Sequence, residues 1–231
     1  MRNNDHQAAR LERQLHFLRE IDKLKSVTRR NRLLDGSRRE NAAEHSWHLA
    51  VMAMVLAELA PTASVDIGRV IKMLLIHDIV EIDAGDNFYY NNNGPEQHQR
   101  EELAAQRLFG LLPPDQAQEF RALWDEFEAG QTPEAAFARA IDRFQPIYGN
   151  YLLGGGTWLE FGVTRTDIET RSGPLLARGS PALWEHCQAL LDELTARGVL
   201  PQAPHTPAGR PGDGEPPCPA SGQGPEAAQS P

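Results

Sequence analysis

Residues 74–86 read LLIHDIVEIDAGD. Three apolar residues run straight into the adjacent pair His77-Asp78, and Glu81 follows four residues after the histidine. Upstream, Ile67, Val70, Ile71, Leu74 and Leu75 recur at three- and four-residue steps, the period of an amphipathic helix. Asp66 stands before them as a cap. The His-Asp pair therefore emerges from a helix that faces a core, with Glu81 on the same helix face as both. Gly85 is placed to end that helix or the turn after it.

On the N-terminal side, Leu11, Leu15, Leu18 and Ile21 keep helical spacing and mark a first amphipathic helix. Residues 25–41, KSVTRRNRLLDGSRREN, read as a basic, glycine-containing connection. Ala42 to Leu59 reads as a mostly buried helix closed by Ala60-Pro61. On the C-terminal side, NFYYNNNG (87–94) reads as a polar loop with aromatics, and Pro95 to Leu111 as a charged amphipathic helix. Pro113-Pro114 breaks it and opens the next, Asp115 to Glu128. Thr132-Pro133-Glu134 starts a further helix with Phe137, Ile141 and Phe144 on one face, a predicted kink at Pro146 and an end at Gly154–Gly156. Ser180-Pro181 opens a last helix through Ala196. No alternating strand pattern of useful length and no internal repeat is present. The expected fold is all-α, one compact helical domain over residues 8–200. Residues 201–231 are rich in Pro and Gly and nearly free of large apolar side chains, the composition of a disordered tail.

A length of 231 residues suits one domain plus such a tail. There is no apolar run long enough to span a bilayer, and the charged start MRNNDHQAARLERQ lacks the apolar stretch of a secretory signal. Cys187 and Cys218 have no CxxC partner, which argues against a disulfide framework or a cysteine zinc site. A reduced, cytoplasmic setting is expected, with no membrane partner. The net charge of −9 argues against a nonspecific nucleic-acid binder, while a few local arginines are enough to hold a small phosphate.

Four positions combine metal-binding chemistry with apolar helical surroundings: His45, His77, Asp78 and Asp142. A buried carboxylate needs a partner or a metal. Two imidazoles and two carboxylates suit one divalent transition metal such as Mn, Co, Zn, Ni or Fe, in a site assembled from separate helices. His48 and Glu44 are read as supporting or packing groups, His98 as an exposed residue at a helix start, and Asp83 as a partner for a nearby arginine. Trp47 and Trp124 are read as core or dimer-contact residues. Gly154–Gly156 follows a helix and lacks the Lys-Ser/Thr of a phosphate-binding loop.

The stretches ENAAEHSWHLAVMAMVLAE (40–58), LLIHDIVEIDAGD (74–86) and AIDRFQPI (140–147) together resemble the HD-domain metal-dependent phosphohydrolases. Within them the chain is most similar to the subgroup of bacterial 5′-deoxynucleotidases and eukaryotic HD-domain-containing protein 2. The resemblance runs over roughly residues 15 to 195. It implies that His45, His77, Asp78 and Asp142 are the metal ligands and that Glu81 is the acidic residue implicated in catalysis, orienting the water or protonating the leaving group. It further implies that Asp86 lies near the substrate sugar and that Arg29 or Arg30 binds substrate. The implied activity is release of phosphate from nucleoside, preferentially deoxynucleoside, 5′-monophosphates, by a homodimer. Two alternatives stay open. One is an HD phosphohydrolase for another phosphate ester (a nucleoside triphosphate, a cyclic nucleotide or a nonnucleotide). The other is a catalytically silent metal-binding interaction module. Asn31-Arg32 and the NFYYNNNG loop depart from the subgroup pattern where base or sugar would be selected.

Overall fold

The computed structural model of the protein describes residues 2–90 and 94–203. The tail expected to be disordered therefore lies, from residue 204 on, outside the described residues, as do residues 91–93 of the polar loop. Helix α1 (Arg2–Ile21) leads through a short 3-10 segment into a hairpin, β1 (Thr28–Arg32) and β2 (Arg39–Asn41). Next come α2 (Ala42–Val55), α3 (Ile67–Ile76), a 3-10 turn over His77–Val80 and α4 (Glu81–Ala84). Helices α5 (Gly94–Phe109), α6 (Pro114–Ala129) and α7 (Pro133–Leu152) follow. Three short helices, α8 (Gly156–Phe161), α9 (Arg165–Arg171) and α10 (Gly173–Gly179), precede α11 (Pro181–Ala196). Among the described residues no helix is long and apolar enough to cross a membrane.

The helix starts follow from capping chemistry. Asn41 accepts from the Glu44 N–H while the Glu44 carboxylate accepts from the Asn41 N–H, a reciprocal box that fixes where α2 begins. Asp66 caps α3, Thr132 caps α7 and Ser180 caps α11, the last two with proline in the first turn. Helix α7 is central: it packs against α2, α3, α6, α10, α11 and β1. Its Phe137, Ile141 and Ile147 are buried with Leu49, Met73, Leu74 and Trp124 in one continuous core. Helix α10 lies close on α7, because a Cβ at Gly179 would collide with the Ala136 carbonyl oxygen.

Three expectations need correction. The basic connection is in part an antiparallel hairpin, pairing Thr28 with Asn41 and Arg32 with Arg39. Leu11, Leu15 and Leu18 of α1 are about half exposed, and that helix meets the core through Phe17 and Ile21. The His77-Asp78 pair lies in a 3-10 turn after α3 rather than within the helix. The expected extent of α7 holds: it runs through Pro146 to Leu152, with Leu153 as its cap directly before Gly154.

Candidate metal and phosphate site

Helix α3 ends where its chemistry begins. The His77 N–H closes the last turn on the Met73 carbonyl, and the chain then tightens into the 3-10 turn that presents His77 and Asp78 side by side. The His77 ring packs on Phe127 with centroids 4.8 Å apart. Its Nδ1 lies 2.9 Å from the Leu74 carbonyl oxygen. A carbonyl only accepts, so Nδ1 carries the proton and Nε2 offers its lone pair to the site. That Nε2 is buried with no hydrogen-bond partner. It lies 3.0 Å from Asp78 Oδ1 and 3.8 Å from Asp142 Oδ1.

His45 reaches the same point from α2. Its Nε2 is 3.0 Å from Asp142 Oδ1 and 4.0 Å from Asp78 Oδ2. Asp142 comes from α7, and its second oxygen accepts from the Arg143 guanidinium, through Nε at 3.0 Å and also through Nη2. His45, His77 and Asp78 offer ligand atoms all within 4.8 Å of one another and could hold a metal ion. An orphaned imidazole nitrogen among buried carboxylates is the donor set that a divalent transition ion completes.

Arg29 closes the other side. Alternation along β1 turns Arg29 inward and Arg30 outward. Arg29 donates from Nη1 to Asp78 Oδ2 at 2.8 Å, and the same nitrogen is 3.8 Å from both Glu81 and Asp86. Burial opposes its charge, but Asp78, Glu81 and Asp86 outweigh that and hold the guanidinium charged. Burial, aided by the neighbouring Asp78 charge, pushes the Glu81 carboxyl well above the usual carboxylate range, against the pull of Arg29. Asp86 is raised by burial in the same way, with Arg29 opposing. Burial acts against the Asp142 charge as well, but Arg143 and the two imidazoles hold it well below the usual range. Burial also opposes a charge on His77, yet Asp78 and Asp142 push its pKa up.

Arg29, His77, Asp78, Glu81, Asp86 and Asp142 open into a cavity of about 440 Å³, with His45 fully buried behind them. Its outer wall carries Arg30, whose guanidinium lies 5.8 Å over the Phe161 ring, and Phe88, 4.6 Å from the same ring. Trp158 is buried in the same wall. Of the residues singled out in the sequence, His45, His77, Asp78, Asp142, Glu81, Asp86 and Arg29 converge, and Arg30 sits at the rim. Glu44 and His48 do not join them. Glu44 caps α2 and pairs with Arg38, while His48 lines a separate groove with Phe144 and His186.

The sequence reading missed three partners. Glu40 is buried behind His45, with Oε2 3.4 Å from Nδ1, and accepts from Gln145. A carboxylate behind a ligand histidine orients the ring. Arg143 grips Asp142 and lies 3.9 Å from the ring centre of Tyr89, and the Tyr89 hydroxyl donates to the Arg171 carbonyl. Glu40 is turned inward by the register of β2, a strand of three residues that the sequence did not announce. For Arg143 and Tyr89 the linear sequence carried no signal.

An HD domain family model matches residues 21–184. The human protein named 5′-deoxynucleotidase HDDC2 is 33% identical over 135 residues, covering 58% of this chain and 64% of its own length. The chain thus spans a little under two thirds of that relative. The 5′-deoxynucleotidase ECA3034 of Pectobacterium atrosepticum is 28% identical over 135 residues, 55% of this chain and 67% of that protein. A crystal structure of a "predicted metal-dependent phosphohydrolase" from Magnetospirillum magnetotacticum MS-1 is 54% identical, with a TM-score of 0.78, over 83% of this chain and 98% of that one.

Proposed function

Because the chain belongs to the HD domain family, we propose that it is a metal-dependent phosphohydrolase that releases phosphate from nucleoside 5′-monophosphates, deoxynucleosides first. The observation that carries this reading is Arg29. A planar fork of donors beside the His-Asp cluster, on the wall of the cavity, suits the oxygens of a phosphate monoester. The names of the human and bacterial relatives support the nucleotide and its deoxyribose.

In this reading His45, His77, Asp78 and Asp142 hold one divalent ion, with Mn, Co, Zn, Ni and Fe all suited to the donor set. When bound, such an ion supplies Lewis acidity and charge neutralisation at the phosphoryl group. Arg29 orients the phosphate. Glu81, whose buried Oε2 has no hydrogen-bond partner, keeps its proton and passes it to the departing sugar oxygen. Asp86 accepts from a sugar hydroxyl, and Arg30 with Phe88 lines the wall nearest the base, with Phe161 packed against both. Water is consumed, and a nucleoside and inorganic phosphate leave.

The test is a phosphate-release panel of ribo- and deoxyribonucleoside 5′-monophosphates against these metals. Turnover is expected with the deoxynucleotides, falling by about 10²-fold or more in Glu81→Gln and abolished in His77→Ala. No release from any nucleoside monophosphate refutes the reading. Release only from triphosphates, cyclic nucleotides or nonnucleotide esters assigns another HD phosphohydrolase activity, and metal binding without turnover a silent interaction module.

The same proposal includes a homodimer and a cytoplasmic setting, with residues 8–200 as the catalytic unit. Helix α2 supports the first: Trp47, Met54 and Val55 on it are more than 60% exposed, beside an apolar groove lined by Val51, Leu56 and Tyr148. The buried free thiol of Cys187 supports the second.

A further inference from the structure

Three glycines in a row, Gly154, Gly155 and Gly156, turn α7 into α8 with positive φ at each. The turn is tight: a Cβ at Gly156 would stand 2.5 Å from Asn150 Oδ1. That oxygen accepts from the Thr157 N–H at 2.7 Å and from the Thr157 hydroxyl at 2.8 Å, while Asn150 Nδ2 donates to the Pro146 carbonyl at 2.9 Å. Asn150 and Thr157 are 4% and 1% exposed, so this knot is built into the fold. It also holds Asn31 of β1, whose Oδ1 lies 3.3 Å from the Thr157 hydroxyl. Asn31, Asn150 and Thr157 all line the cavity.

An amide carries two N–H groups. Thr157 engages at most one of them, so in either orientation of the Asn31 carboxamide a donor is left over on the cavity wall. Among the described residues nothing else takes it. We propose that Asn31 reads the base: its free N–H donates to a ring nitrogen or carbonyl oxygen on the base edge of the nucleotide. This assignment rests on the nucleotide reading of the site, and adds the contact that tells a nucleotide from a plain sugar phosphate. Position favours the base over the phosphate. Arg29 and Asn31 are alternate residues on the inward side of β1, about 6.6 Å apart along the strand. With Arg29 on the phosphate, the short Asn31 side chain sits about a sugar's width from those oxygens. The neighbouring wall is apolar: Trp158, next to Thr157, and Ile147, one turn before Asn150, are buried and line the same cavity. One placed donor on an apolar wall is how a small-molecule site orients a flat ring. A donor held ready on the wall also gives discrimination, because it goes unpaired when the base is missing. The glycine turn gains a purpose as well. It presses α8 onto Asn150 so that Thr157 can hold Asn31.

Steady-state kinetics of the full-length, metal-loaded protein test this, wild type against Asn31→Ala. The substrates are the deoxynucleoside 5′-monophosphates. Inorganic phosphate and 2-deoxyribose 5-phosphate serve as competing ligands that lack a base. Asn31→Ala is expected to raise KM for the deoxynucleotides by about fivefold, the worth of one neutral hydrogen bond, at unchanged kcat. Both inhibition constants are expected to keep their wild-type values, which also shows that the variant is folded around its phosphate and sugar contacts. An unchanged KM overturns the assignment. So does a KM that rises together with either inhibition constant, since Asn31 then serves the phosphate or the sugar. A wild type that cleaves no nucleoside monophosphate removes the nucleotide reading and Asn31 with it, whereas cleavage with KM unchanged in the variant removes Asn31 alone.

Discussion

Arg143 does two jobs with one guanidinium: it neutralises Asp142 and lies over the Tyr89 ring. Removing it strands a carboxylate that is 2% exposed. Breaking one side of a buried ion pair costs about 3 kcal/mol or more. Arg143→Met is therefore expected to lower unfolding stability by about 3 kcal/mol in EDTA, and by clearly less with saturating Mn²⁺, because the ion then supplies the missing positive charge. Urea unfolding under the two conditions measures this; an equal loss in both would break the link between Arg143 and the metal centre. At this scale the sequence was readable where residue type alone limits the chemistry. Histidines and aspartates with apolar helical neighbours have few reasons to be buried, so the four ligand candidates could be named. Glu40 and Arg143 were not readable, since each looks like an ordinary surface charge until a strand register or a helix face turns it inward.

At the scale of elements, long helices with paired start signals were legible because cap and period agree: Asp66 before α3, Thr132-Pro133 before α7, Ser180-Pro181 before α11. Helices α8, α9 and α10 span only six or seven residues each, too few to show a period. Strand β1, TRRNR, hid among its arginines because its inward residues are themselves polar. The stripe Leu11, Leu15, Leu18 announced a helix correctly but could not say which of its faces the core would take. The close approach of α10 to α7 gives a sharp test. Gly179 lets α10 settle on the Ala136 carbonyl of α7, and α7 carries Asp142. Gly179→Ala adds only a methyl group, yet overpacking of this kind costs about 1–3 kcal/mol. A stability loss in that range is expected, read as a lower urea midpoint with the transition slope unchanged. A neutral or stabilising outcome would mean that α10 moves freely on α7.

For the molecule as a whole, the exposed apolar surface of α2 is what a second copy would cover. If the proposed dimer forms through α2, Trp47→Glu is expected to convert it to a monomer in light scattering of the full-length protein at micromolar concentration. A monomeric wild type, or a variant that still dimerises, would remove α2 from the interface. The net charge of −9 bears on the same question: two acidic copies repel one another, so an apolar contact should tighten as added salt screens that repulsion. What the sequence could not supply at this scale is the cavity, whose wall is drawn from β1, the turn after α3, α5, α7 and α8.

The four tryptophans are distributed so that the molecule reports on itself. Trp158 is buried in the cavity wall, Trp124 is sealed in the core, Trp184 is partly covered, and Trp47 stands out on α2. An indole emits at longer wavelength in a wet setting than in a dry one. Filling the cavity is therefore expected to register at Trp158, already dry, as a change in yield, while any assembly over α2 would register at Trp47 as protection from a dissolved quencher. One untouched protein carries two optical channels, one for occupancy and one for association, and they can be read in the same cuvette without attaching a dye.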